Sequence, residues 1–199
     1  MKKRYAIYCT GNATVITNFY KKYSADMYEL TFCLYDGKRL DIKQQLQTMC
    51  KNNIFDYEDN ISDCLLENLL KYEIDYMFCF GDKILKGPLL DTYKNKIINF
   101  HPSILPAFSG LNAIDAALEA GVQILGNSAH FVDVGVDTGP IIMQSAISRN
   151  TYKNYDSVFN LQITMLKKIW NCLDNDKIKV NDKQVNIEQV GSDEIFYTI

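Results

Sequence analysis

The chain has 199 residues, 47% of them apolar and 23% charged, with a net charge of −3. That is enough chain for one domain with a real hydrophobic core, and the composition excludes a disordered protein. Acids and bases are interspersed with no basic block, so nothing calls for a nucleic-acid partner, and no window approaches the roughly 20 apolar residues of a membrane span.

Lys2, Lys3 and Arg4 make a short basic start. The apolar run behind them is too short for a signal sequence and reads as a first strand, Arg4 to Cys9. A small-residue turn, Thr10-Gly11-Asn12-Ala13-Thr14, leads into a helix from Val15 to Tyr23. Such a turn can offer backbone N–H groups to a phosphate, or it can be an ordinary strand-to-helix turn capped by Thr10, Asn12 or Thr14. Glu29 to Tyr35 reads as a second strand, ended by the turn pair Asp36-Gly37. Asp41 to Lys51 is a polar helix, and Ile54-Phe55 a short strand. Ile61 to Tyr72 is a helix with Ile61, Leu65, Leu66, Leu69 and Leu70 as its apolar face and Asn60 or Ser62 near its start. Asp75 to Phe80 is apolar at both parities, as in a strand buried on both faces. The loop Gly81 to Leu85 follows it, where ligands gather in open α/β sheets.

Leu89 to Tyr93 is helix-like, and Ile97 to Phe100 is a further strand. Leu111 to Ala120 is an amphipathic helix stopped by Gly121. Ile124 to Val132 and Ile141 to Ile147 are strands joined by the turn Asp133 to Pro140. Thr151 to Cys172 is a long helix, and the polar tail after Asp174 holds two β-like pieces, Ile178 to Val180 and Val185 to Ile187. Strands alternating with helices predict an α/β fold: a Rossmann-like open, mostly parallel twisted sheet with helices on both faces. The six cysteines show no C-x-x-C spacing. They read as reduced, largely buried thiols of a cytoplasmic protein, and two histidines make a zinc site a poor expectation.

Ile97 to Ile147 holds both histidines and three of the four prolines. Asn99 and His101 are two apart on a strand end and share a face, while Phe100 points the other way. Pro102 and Pro106 stiffen the exit. Asp137, in a Gly-flanked turn of the same sheet, is placed to reach the same cleft. An amide, an imidazole and a carboxylate suit acyl transfer to an amine, with donors for an oxyanion and a carboxylate to manage the proton. The same residues also admit a bland reading: His101 can cap a helix or fill the core. His130, between Ala129 and Phe131, reads as a packed histidine, although it could face the cleft.

The run Asn99-Phe100-His101-Pro102-Ser103-Ile104-Leu105-Pro106-Ala107-Phe108-Ser109-Gly110 resembles the N-[IF]-H-P-S-L-L-P-x-[FY]-x-G signature of the folate-dependent formyltransferases. His130-Phe131-Val132 and Asp137-Thr138-Gly139-Pro140-Ile141-Ile142 continue in register with it. The resemblance is specific over about residues 80 to 147. It implies a single formyltransferase domain over 1–199, with an acceptor-binding half over about 1–96 and a folate-binding, catalytic half over about 97–199. It implies Asn99, His101 and Asp137 as the catalytic trio and 10-formyltetrahydrofolate as co-substrate, with no metal. Lys83, Ile84 and Leu85, together with Asn99 and the turn Asp133, Val134, Gly135, Val136 and Asp137, would hold the folate. Gly11, Asn12, Ala13 and Gln162 would meet the amine acceptor. Length and motif detail point to the branch acting on glycinamide ribonucleotide in purine biosynthesis, in a cytoplasmic monomer or homodimer.

The acceptor side departs from that pattern. The family's G-N-G-S/T-N turn reads Gly11-Asn12-Ala13-Thr14-Val15, with a Cβ where backbone must approach a phosphate. The folate loop is one residue shorter, with Asp82 and Lys83 where an apolar residue and an arginine are common. Gln162 stands where the family has a glutamate, and Phe55-Asp56-Tyr57-Glu58 lacks an expected arginine. These departures leave a different amine, such as a nucleotide-linked amino sugar, as the alternative acceptor.

Overall fold

Tyr5, Ala6, Ile7, Tyr8 and Cys9 are all buried, so the strand they form is covered on both faces. This is β1, Tyr5–Thr10, of a computed structural model that describes residues 2–23, 27–50, 60–188 and the backbone of 54–55. Asp56, Tyr57 and Glu58, which stand where the family's arginine is expected, lie outside the described residues. The other strands of the main sheet are β2 (Leu30–Asp36), β3 (Ile54–Phe55), β4 (Tyr76–Phe80), β5 (Ile97–His101), β6 (Ile124–Phe131) and β7 (Ile141–Ser148). Their order is β3-β2-β1-β4-β5-β6-β7. The β1–β2, β1–β4 and β2–β3 pairs are parallel, and β6–β7 is antiparallel. This is the α/β, mostly parallel sheet that the alternation of elements predicts. Among the described residues no helix is long and apolar enough to cross a membrane.

The chain divides into two compact units, Met1–Ile98 and Asn99–Ile199. The first carries α1 (Thr14–Lys22), α2 (Leu40–Met49), α3 (Ile61–Lys71) and α4 (Pro88–Thr92). In α3, Ile61, Leu65 and Leu69 are buried, four residues apart each time. Asn60 caps the helix, its side chain accepting from the Ser62 N–H at 3.0 Å. Leu70 was expected on the apolar face but is 54% exposed. At about 100° per residue it stands opposite Ile61, and Asn68 takes the buried stripe instead. The start of α1 also differs from expectation. No side chain caps it; Ala13 occupies that position in the left-handed region, at φ 47°. Asn12 is engaged elsewhere, its Oδ1 accepting from Arg39 Nη1 at 2.9 Å, and the Gly11 carbonyl accepts from the Tyr35 hydroxyl at 2.6 Å.

All six cysteines are free thiols, and five of them are buried. Cys9 and Cys33 bring their sulfurs to 3.7 Å on neighbouring strands. Hydrogen bonding to Cys50 and Cys9, and then burial, push the Cys33 thiol well up, so it behaves as a small core hydrophobe.

The second unit carries α5 (Ala113–Glu119), α6 (Tyr155–Asp174) and a small hairpin, β8 (Ile178–Asn181) with β9 (Gln184–Ile187). The long helix therefore starts later than Thr151, since Arg149–Thr151 forms a separate 3-10 turn. Asn154 and Ser157 close a capping box at its N-terminus. Ile114, Ala117, Leu125 and Val158 form one core cluster of this unit, which seats α5 and α6 against β6.

Candidate active site

Strand β5 ends at His101, and period 2 puts Asn99 and His101 on one side of it. Asp137 comes to that side from the turn between β6 and β7, with its backbone left-handed at φ 54°. Asp and Asn tolerate that conformation better than most residues. His101 Nδ1 lies 3.3 Å from Asp137 Oδ2, and the two side chains are only 6% and 12% exposed. His101 Nε2 lies 2.8 Å from the carbonyl oxygen of Phe108. The ring thus has an acceptor at each nitrogen. A neutral imidazole carries one N–H for the two, and only the imidazolium donates to both.

The other carboxylate oxygen of Asp137 meets two more groups. Asn99 Nδ2 is 3.5 Å from Oδ1, and His130 Nε2 is also 3.5 Å away. The backbone N–H of Gly110 donates to Oδ2 at 2.8 Å. Burial pushes the Asp137 carboxyl up, but hydrogen bonding at its two oxygens outweighs it. Asp137 is held below the usual carboxylate range and is ionised at neutral pH. An anion flanked by two imidazoles and an amide can hold a positive ring in place and take part in moving a proton.

His130 belongs to this cluster, and Ala129-His130-Phe131 alone did not reveal it. Its neighbours on β6 are buried as well, so residue type alone does not separate a packed ring from one in the site. Phe108 O and Gly110 N were missed as well, because backbone groups leave no mark in residue identity. The loop that supplies them is held down by Ser128 Oγ, which accepts from Leu105 N–H at 2.9 Å and donates to Ser103 O at 2.8 Å.

The remaining expected residues fall in separate places. Gln162 is 2% exposed, and its amide nitrogen donates to Phe100 O at 3.3 Å and Asn127 Oδ1 at 2.8 Å. Direct contact with an acceptor therefore does not fit Gln162. It braces the β5 backbone between Asn99 and His101. In the first unit, Leu85 turns into the core while Lys83 and Ile84 are exposed. In the second, Val134 is 89% exposed and Val136 51%. Asp133 Oδ1 organises that turn by accepting from Gly135 N–H at 3.0 Å and Thr138 Oγ1 at 2.7 Å.

Gly139 closes the turn against β6, where an added Cβ would sit 1.8 Å from the Phe131 carbonyl oxygen. Backbone must shift to relieve that contact. Gly139→Ala is expected to lower stability by about 1–3 kcal/mol, read as a drop in thermal midpoint, and to displace Asp137.

The formyl transferase family matches residues 34–158, more than half of the chain. The chain belongs to that family. A phosphoribosylglycinamide formyltransferase of Bacillus subtilis is 42% identical over 95 residues, which cover 47% of this chain and 49% of that protein. The chain thus spans about half the length of this curated relative. Among solved structures, the phosphoribosylglycinamide formyltransferase of Anaplasma phagocytophilum superposes with a TM-score of 0.83 at 25% identity, covering 98% of this chain and 97% of that one. Glycinamide ribonucleotide transformylase 1 of Symbiobacterium toebii gives a TM-score of 0.83 at 24% identity, covering 94% and 95%, a likeness of fold. The resemblance read from Asn99 to Gly110 is therefore to the family in which the chain falls, and the α/β formyltransferase fold is the one observed.

Proposed function

We propose that the protein transfers a formyl group from 10-formyltetrahydrofolate to a primary amine, that of glycinamide ribonucleotide in purine biosynthesis. The observation that carries this reading is the Asp137 carboxylate, kept ionised between His101, His130 and Asn99 at the end of β5. Membership of the formyl transferase family and the names of the relatives support it. The exposed aliphatic tips of Val134 and Val136 suit a flat, partly apolar ring, and with Asn99, Asp133, Gly135 and Asp137 they are assigned to the folate; Lys83, Ile84 and Leu85 are assigned to it by the family resemblance alone. Gly11, Asn12 and Ala13 are assigned to the phosphate of the acceptor. Gln162 is not. The enzyme is read as a cytoplasmic monomer or homodimer.

In this mechanism the amine adds to the formyl carbon, and the formyl oxygen gains negative charge. The Phe108 carbonyl occupies one N–H of His101 in the free enzyme. Exchange of that carbonyl for the formyl oxygen puts this N–H donor where the oxyanion forms. Asn99 supplies a second donor. Asp137 faces the ring as a counter-charge and helps the proton that leaves the amine on its way, through water, to N10 of the folate; the C–N10 bond then breaks, the formyl C=O re-forms and tetrahydrofolate leaves.

A second acceptor has a specific observation in its favour. Ala13 sits at φ 47° with a Cβ in the turn that would cradle a phosphate, which favours a nucleotide-linked amino sugar held by other groups. Release of tetrahydrofolate is to be followed with glycinamide ribonucleotide and with a panel of amino sugars. Turnover with the ribonucleotide upholds the first reading. Turnover with a sugar alone replaces it, and turnover with none removes both.

A further inference from the structure

His130 has no part in the trio implied by the resemblance, yet it is 2% exposed and touches both Asn99 and Asp137. Its Nδ1 lies 3.0 Å from the Phe131 carbonyl oxygen. A carbonyl only accepts, so Nδ1 carries the proton in that bond. In the neutral ring Nε2 is then bare. Its nearest partner is Asn99 Nδ2, at 3.2 Å, which has hydrogens to give. The 3.5 Å approach to Asp137 is the weaker claim on the same nitrogen.

We infer that His130 is the positioning residue of this site: Nε2 takes one hydrogen of the Asn99 amide and so aims the other. Nδ2 lies 3.5 Å from Asp137 Oδ1, too long for a strong bond, so that second hydrogen can turn to a developing oxyanion. The two ends of a carboxamide have nearly the same shape. Without an acceptor at His130, Asn99 can rotate and show its carbonyl oxygen to negative charge, which repels rather than stabilises. His130 thereby decides which end of Asn99 the reaction meets. The inference rests on the proposed formyl transfer for its catalytic consequence, but not for its geometry.

Two substitutions separate positioning from packing. In His130→Gln, Oε1 replaces the Nε2 acceptor, and the Gln NH2 is oriented by Asp137, which only accepts. In His130→Asn, the donor to Phe131 O is kept and the distal acceptor is lost. His130→Gln is expected to stay within about threefold of wild-type kcat, and His130→Asn to lose on the order of 10-fold or more at unchanged KM for folate. Thermal melting confirms that both are folded. Equal losses in the two variants, or no loss in His130→Asn, would overturn the inference. A readout independent of turnover is the ring 15N spectrum, tractable because the chain has two histidines and His101→Gln assigns them. A protonated Nδ1 and bare Nε2 at His130 at neutral pH are expected; a protonated Nε2 overturns the inference even if the enzyme is active. If the wild type transfers no formyl group, the proposed function fails and the spectrum still tests the orientation.

Discussion

His101→Ala is expected to lower kcat on the order of 100-fold or more. The ring meets Asp137 on one side and the Phe108 carbonyl on the other, so it is fixed in plane and position before any substrate arrives. Preorganisation of that kind makes a donor effective, because no reorganisation remains at the moment charge develops. Alanine also leaves Asp137 Oδ2 with the Gly110 N–H alone and leaves Phe108 O facing a void. Part of the loss could then come from a loosened loop, and His101→Gln distinguishes the two causes. Glutamine keeps a hydrogen-bond donor but cannot carry the positive charge. If charge matters, His101→Gln falls nearly as far as His101→Ala while its melting temperature stays closer to wild type. Single-turnover rates near wild type in either variant would remove His101 from the chemistry.

The parts of this site that the sequence shows are those a strand period can carry. Asn99 and His101 share a face because they are two apart, and Phe100 is buried on the other side for the same reason. The strand covered on both faces, Met77 to Cys79, is equally visible as a run apolar at both parities. What the sequence hides has three physical causes. His130 sits on a strand whose residues are buried on both sides, so its apolar neighbours do not tell a packed ring from one in the site. Phe108 O and Gly110 N act through the backbone, which every residue shares. Gln162 lies on the buried stripe of α6, in register with Val158, Met165 and Ile169, yet its polar type reads equally well as a ligand contact. Its neighbours Ile163, Met165 and Leu166 are buried too, and the amide goes inward with them. The helix α1 adds a fourth case. Three side chains in its turn are competent caps, yet the chain enters through a left-handed Ala13, and Asn12 is bound to Arg39 instead.

Asp137→Asn is the second substitution with a large expected effect, and the cleaner one. Asparagine accepts the left-handed backbone at this position, so the turn need not move. What changes is charge and acceptor count. The carboxylate meets the Gly110 N–H and His101 on Oδ2, and Asn99 and His130 on Oδ1. An amide must turn its NH2 toward one of these sets. If it faces Oδ2's partners, two donors collide, so the amide is expected to keep its oxygen there and point NH2 at Asn99 and His130. The His101 ring then loses the negative charge that faces it, and the Asn99 amide is pushed out of line. A fall in kcat on the order of 100-fold or more is expected, larger than for a single lost donor because two donors are disturbed together. Stability supplies an independent check with a definite sign. The folded-state pKa of Asp137 is depressed, so its contribution is present above the unfolded value of about 3.9 and is lost as pH falls through the lower folded value. The gap in melting temperature between wild type and Asp137→Asn should therefore be widest at neutral pH and close as the solution is acidified below about pH 4. A gap that persists unchanged into strong acid would mean that the carboxylate is not held ionised by its neighbours, and the charge-based role assigned to it would fall.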